Sequence, residues 1–264
     1  MSMASVHRGF LSKSDAVPRQ GIDMPLAVRA ALVVDVMLAL VYLALTEVNR
    51  VQTFHYVFDL FNLNAEANLP TWFSSLQLAA AGILVGVVAV YLTRQQHLAS
   101  PGALAAWLAS AMLVGMSIDE TVGLHEFVGR SADRLLPVLR ETAGLQHTGP
   151  WMLVVAPIAL TFVAISVWLG RRYLNDFPTA KPAALRFAAG LGLLLVAAVG
   201  AEVLTNFAVG DYHPLTPSRG WAAMITVEEL GEMLGGTLML WGGIELLRAH
   251  GLGVLVPLDE GDND

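Results

Sequence analysis

Apolar residues in this chain fall into six long runs separated by short polar stretches. The runs cover about Val28 to Glu47, Pro70 to Leu92, Pro101 onward, Trp151 to Leu169, Ala183 to about Val209, and Trp221 to Leu247. A helix needs roughly 20 mostly apolar residues to cross the hydrocarbon of a bilayer. Inside such a run the backbone has no water to bond to, so it must satisfy itself, and a helix results. The runs are continuous and do not alternate, which argues against a transmembrane β-barrel. The pattern therefore predicts an all-α, polytopic membrane helix bundle of about six transmembrane helices. Asn68 is placed to cap the second helix, with Pro70 in its first turn. If Arg50 to Phe61 forms a short interfacial helix, His55 and Asp59 sit one turn apart on it. The third run has no clean end, and its helix is expected to continue past Ser117 into the polar stretch that closes near Arg134.

Composition agrees with the pattern. The chain of 264 residues is 55% hydrophobic and 14% charged, with a mean hydropathy of +0.60, whereas soluble domains carry about a quarter charged residues. Three segments follow: a polar N-terminal stretch (1–27), a membrane domain (28–249) and an acidic tail (250–264). The first apolar run is too long for a signal-peptide core and reads as a retained span. The absence of cysteine excludes disulfides, thiolate metal sites and cysteine nucleophiles. A net charge of -7 without a basic stripe gives no reason to expect a nucleic-acid partner.

Basic residues set the expected orientation. Ten fall on one side: Arg8, Lys13, Arg19, Arg29, Arg94, Arg171, Arg172, Lys181, Arg186 and Arg248. Five fall on the other: Arg50, Arg130, Arg134, Arg140 and Arg219. Both termini are therefore expected in the cytoplasm of a bacterial inner membrane. Trp72, Trp151, Tyr212 and Trp221 then lie near the outer interface, where aromatic belts form.

Under this topology acidic residues gather in one outer layer. The third run ends in Asp119, Glu120, His125 and Glu126, the fifth carries Glu202 and Asn206, and the sixth begins with Glu228, Glu229 and Glu232. If the third helix is regular, Asp119 and Glu126 lie about 20° apart around it and Glu120 about 100° from Asp119. The expected inward arc is then Asp119/Glu126, bordered by His125 and opened for close packing by Gly115. Gly235, Gly236, Gly242 and Gly243 should let helices approach the sixth span closely. Carboxylates at membrane depth persist where they line water, pair or bind a cation. The acids outnumber nearby arginines, so either several carry protons or a metal supplies positive charge. Asp119, His125, Glu126, Glu202, Glu228 and Glu232 are the candidate ligands, of a type that suits Fe, Mn or Zn. The competing reading is of charges in the headgroup region, favourable at a helix N-terminus. It accounts for Glu228 and Glu229 better than for Glu202, Asp119 with Glu126, or Glu232. The Glu-x-x-His pairs of bundle di-metal proteins are absent.

Other positions carry plainer readings beside functional ones. The oxygen-bearing residues from Asn62 to Asn68 could hold Ca²⁺, but lack the glycine of an EF-hand loop, and an interfacial turn capped by Asn is the simpler reading. His55 is a further candidate ligand if it shares a short helix with Asp59. Asp35 and Glu245 lie inside spans. Each is expected to pair with an arginine or reach water, the alternative being a proton path. No phosphate-binding glycine loop, Gly-x-Ser-x-Gly elbow or His-Glu-x-x-His motif occurs.

Three stretches carry a resemblance: Glu66 through Ser75, Asp119-Glu120 with His125-Glu126, and Glu228-Glu229 with Glu232 through Gly235. Together the chain resembles a group of uncharacterised bacterial multi-pass membrane proteins. The leading expectation is a metal-dependent membrane enzyme acting on a lipid or other amphiphile. The alternatives are a cation- or proton-coupled transporter and an accessory subunit of a membrane complex.

Overall fold

The computed structural model describes residues 24–49, 55–96, 100–124, 127–128, 131, 151–207 and 218–252. Among them every regular element is a helix. We number the helices α1 (Leu26–Asn49), α2 (His55–Leu60), α3 (Leu69–Gln96), α4 (Pro101–Val122), α5 (Trp151–Asp176), α6 (Lys181–Phe207) and α7 (Arg219–Ala249), with a 3-10 turn at Pro178–Ala180. Four stretches are long and apolar enough to cross a membrane: α1, most of α3, α4, and Pro178–Ala201. α5 and α7 have ample length at 26 and 31 residues, but crossing by these two remains an expectation.

Local sequence explains where the elements begin and end. The side chain of Asn68 accepts from the Thr71 amide at 3.1 Å, which caps α3 as expected, and its own amide donates to the carbonyls of Asn62 and Ala65. Asn62 Oδ1 accepts from the Asn64 amide at 3.1 Å, so the loop is a side-chain-tied turn. Ser100 caps α4 and Ser218 caps α7. Correcting the expectation of a continuous third helix, α4 stops at Val122. Gly123 adopts φ 63° and ψ 42°, and its N–H bonds back to the Asp119 carbonyl. Glycine tolerates this left-handed conformation, the usual way to close a helix.

α7 is the spine of the bundle, packing along α6, α3 and α1, while α4 lies on α3 and α5 on α4. Glycine permits the closest of these contacts. A Cβ on Gly190 would stand 2.5 Å from the Gly235 carbonyl oxygen, and one on Gly242 2.9 Å from that of Ala183. Gly231, Gly235 and Gly242 thus serve the α6 side of α7, whereas Gly236 and Gly243 face Gln77 and Leu84 of α3. The α3–α4 pair adds hydrogen bonds from Ser75 Oγ to the Ser117 carbonyl and from Ser110 Oγ to the Gly82 carbonyl, both 2.8 Å. Small residues and interhelical hydroxyl bonds are how helices associate where lipid removes the hydrophobic drive. Outward faces are apolar, with Val33, Ile83, Leu185, Val196 and Val227 all widely exposed. Apolar surface on this scale, spread over several helices, suits contact with acyl chains.

The end of the bundle that holds the α7 C-terminus is closed by aromatic contacts. His250 Nε2 pairs with the Tyr173 hydroxyl at 2.5 Å, and its ring lies 5.5 Å from that of Tyr91 and 5.0 Å from that of Phe177. Burial lowers the proton affinity of His250 in the fold. The unfolded chain therefore takes up this proton first as pH falls through about 6.5, and stability should decline from there downward. Thermal unfolding of wild type across that window should show the decline. His250→Gln should flatten it, and an unchanged slope would remove His250 as its source.

Candidate functional site

Two polar centres are built into this scaffold. The first is the acidic layer. The carboxylate of Glu229 on α7 lies close enough to those of Glu232, Glu120, Glu228 and Glu66 to be repelled by each. Three elements contribute: α7, the end of α4, and the loop before α3. Glu66 is carried there by the loop that Asn62 and Asn68 tie down. Its carboxylate lies over Gly123, where a Cβ would stand 2.5 Å from Oε2. Gly123 is thus constrained twice, by its positive φ and by the carboxylate above it.

Glu120, expected to point away, belongs to this layer. The buried positions of α4 run Ala103, Ala106, Ser110, Leu113 and Ser117. Alternating steps of three and four residues mark one helix face, and the next step lands on Glu120. That stripe was the available signal for Glu120. The left-handed Gly123 interrupts the helix between Asp119 and Glu126, so the 20° argument does not apply to them. Gly115, four residues before Asp119, has nothing within 4 Å of where a side chain would project. The arc it was expected to open for packing faces open space at that point. Asp119 and Glu120 are both partly exposed.

Of the other candidate ligands, Glu228 and Glu232 are in the layer, one helical turn apart on α7. His125 and Glu126 lie outside the described residues, as do Arg130 and Arg134. Glu202 sits on α6, but its side chain, like that of His55, is not among those described. Among the described residues no three His, Asp or Glu side chains come together closely enough to hold a metal ion.

The second centre lies deeper. Asp35 of α1 is fully buried, with Gln77 of α3 and Thr237 of α7 also buried beside it. Gln77 Nε2 donates to Asp35 Oδ1 at 2.9 Å and to Thr237 Oγ1 at 2.7 Å, and the Thr237 hydroxyl donates to Asp35 Oδ2 at 2.7 Å. The expected arginine partner or route to water is therefore replaced by a closed triangle of neutral donors. Glu245 does follow the plainer expectation. It pairs with Arg186 across α6 and α7, and the same guanidinium stacks 4.4 Å over the Trp241 ring.

An apolar cavity of about 310 Å³ opens between α3, α4, α5, α6 and α7, lined by residues such as Leu92, Gly102, Ala106, Tyr173 and Leu246. Gly102 and Glu120 are eighteen residues apart on α4, so at about 1.5 Å per residue the cavity floor is roughly 27 Å from the acidic layer.

Neither the curated proteins nor the solved structures provide a match to this chain. Residues 28–244 match the family described as Domain of unknown function (DUF8692), and the chain belongs to that family.

Proposed function

We propose that this is a multi-pass inner-membrane protein that binds a cation in its outer acidic layer as part of cation-coupled transport. The crowding of Glu66, Glu120, Glu228 and Glu232 around Glu229 carries this reading. Like charges gathered in one layer repel, and a bound cation or proton relieves the repulsion. No three of the described carboxylates are close enough to hold a metal ion as they stand, so a bound ion would have to draw α4, α7 and the loop before α3 together. That is the kind of differential contact through which an ion biases a helix bundle between states. The metal-dependent lipid enzyme comes second. The cavity suited to an acyl chain lies at the other end of α4, and the ligand set expected for Fe, Mn or Zn includes His125, Glu126 and Glu202.

Thermal unfolding of the purified protein with added Na⁺, Mg²⁺, Ca²⁺, Mn²⁺ or Zn²⁺ tests the layer. One of these ions should raise Tm, by roughly 3 kcal/mol of linkage at a hundred times its Kd. Glu229→Gln and Glu120→Gln should abolish that rise, and Asp119→Asn should leave most of it. No response to any ion would remove the reading. A response lost in Asp119→Asn and kept in Glu120→Gln would restore the other face of α4. Near-stoichiometric Fe, Mn or Zn by elemental analysis, lost in His125→Ala/Glu202→Ala, would move the enzyme reading ahead.

A further inference from the structure

We propose that Asp35, Gln77 and Thr237 form a proton-binding site inside the bundle, at which the Asp35 carboxyl takes up and releases a proton. The site is independent of the cation reading of the acidic layer. Asp35 is nine residues from the start of α1 and fourteen from its end, so it sits about 13 and 21 Å from the two helix ends. It is fully buried. The elements packed around it bring hydroxyl and amide groups but no charge. α3 supplies Gln77 and α7 supplies Thr237, and among the described residues no charged group acts on Asp35. The nearest acids along α7 are Glu232, five residues before Thr237, and Glu245, eight residues after it. Glu245 is already engaged by Arg186. Among the described residues nothing balances the charge of a carboxylate so placed. A proton is the smallest species that balances it, and needs no coordination shell.

Gln77 supplies the second, independent observation. Its side chain is 3% exposed, and its Oε1 is buried without a hydrogen-bond partner. All three donor hydrogens of the triangle are spent on the arrangement that suits an ionised Asp35. The orphaned oxygen is the acceptor that a protonated Asp35 would need. A half-turn of the amide presents Oε1 to Asp35 Oδ1, where Nε2 now donates. The room for that turn is beside Gly236. A Cβ there would lie 3.2 Å from Oε1, closer than an ordinary van der Waals contact, so the missing side chain of Gly236 leaves the amide its space. An amide can donate to a carboxylate in one setting and accept from a carboxylic acid in the other. Gln77 therefore gives Asp35 a hydrogen-bonded partner in both charge states. The step is proton uptake alone: one O–H bond forms on Asp35, the local charge goes from -1 to 0, and the proton comes from water at a bundle end.

The test is infrared difference spectroscopy of the full-length protein in lipid nanodiscs during a pH titration. Wild type should show the C=O stretch of a buried carboxylic acid that grows as pH falls and shifts on exchange into D₂O. Asp35→Asn should lose that band while the amide I band shows an intact helical fold. Asp35→Glu should restore a band, which keeps the assignment open to test should the Asn variant fold poorly. Gln77→Met should keep the band but displace its frequency and midpoint. Glu229→Gln should leave it in place, so failure of the acidic-layer reading would be seen separately. A band untouched by Asp35→Asn, or no titrating band in the folded protein, would overturn the proposal. So would a band that vanishes on adding Na⁺ at constant pH, since the site would then belong to a metal cation.

Discussion

Gly190→Ala should destabilise the protein by about 3 kcal/mol, at the upper end of what overpacking costs, and Gly190→Leu should prevent the bundle from forming. The added methyl would stand 2.5 Å from the Gly235 carbonyl oxygen and 2.8 Å from the Met239 amide nitrogen. Both are backbone atoms of a regular helix, so no side-chain rotation relieves the clash. α6 must move away from α7 along its length, and the contacts of Leu194 and Phe187 with α7 go with it. Gly235→Ala should behave alike, because its Cβ would stand 2.7 Å from the Gly190 carbonyl. The same helix carries its own controls. Gly192 and Gly200 have nothing within 4 Å. There, alanine should be neutral or gain up to about 1 kcal/mol from helix propensity. Unfolding by titrated denaturing detergent, monitored by circular dichroism, separates these outcomes. A wild-type midpoint for Gly190→Ala would mean the two backbones do not meet at this crossing.

The same glycines show how far sequence reading reaches in such a chain. Long apolar runs mark helices because lipid leaves the backbone no other choice, and α1, α3, α6 and α7 begin and end within a few residues of their runs. Gly235, Gly236, Gly242 and Gly243 were readable as close-packing positions because a missing side chain has few other uses on a membrane helix. What they pack against was not readable, since Gly190 looks like any other glycine of α6. The acidic layer was half legible. The nearness of Glu228 and Glu232 was readable from their spacing on one helix, whereas Glu66 was not expected there. The place of Glu120 depends on which face α4 buries, and it was obscured by reading the helix through Gly123. A glycine between polar residues can be a helical residue or a left-handed stop. Here Glu66, from a distant loop, occupies the space above it. Asp35 could be singled out as a membrane-depth acid, but not its partners. Gln77 and Thr237 are 42 and 202 residues away from it, and a lone amide or hydroxyl in an apolar run more often bonds its own helix.

That triangle also makes a stability prediction, separate from whether Asp35 titrates. Gln77→Met with Thr237→Val keeps approximate volume but strips both donors from a fully buried carboxyl. The double variant should lose about 3 kcal/mol or more, the cost of leaving a buried charged group unpaired. Adding Asp35→Leu should recover most of the loss, bringing the triple variant within roughly 1 kcal/mol of wild type, since an apolar cluster of similar size replaces a satisfied polar one. Interhelical hydrogen bonds in lipid are individually weak, about 0.6 kcal/mol on average. The large term is therefore the desolvated carboxyl, not the bonds themselves. The comparison separates two roles for the triangle. If it exists to hold α1, α3 and α7 in register, the triple variant should be as unstable as the double, or populate more than one packing. If it exists to bind a proton, the triple variant should fold as well as wild type and lack the titrating carboxyl band. The second outcome is the one expected, because α1 and α3 already pack on α7 through apolar contacts and the glycines at Gly236 and Gly243. A double variant as stable as wild type would mean that Asp35 finds water or another partner once its two neighbours are gone.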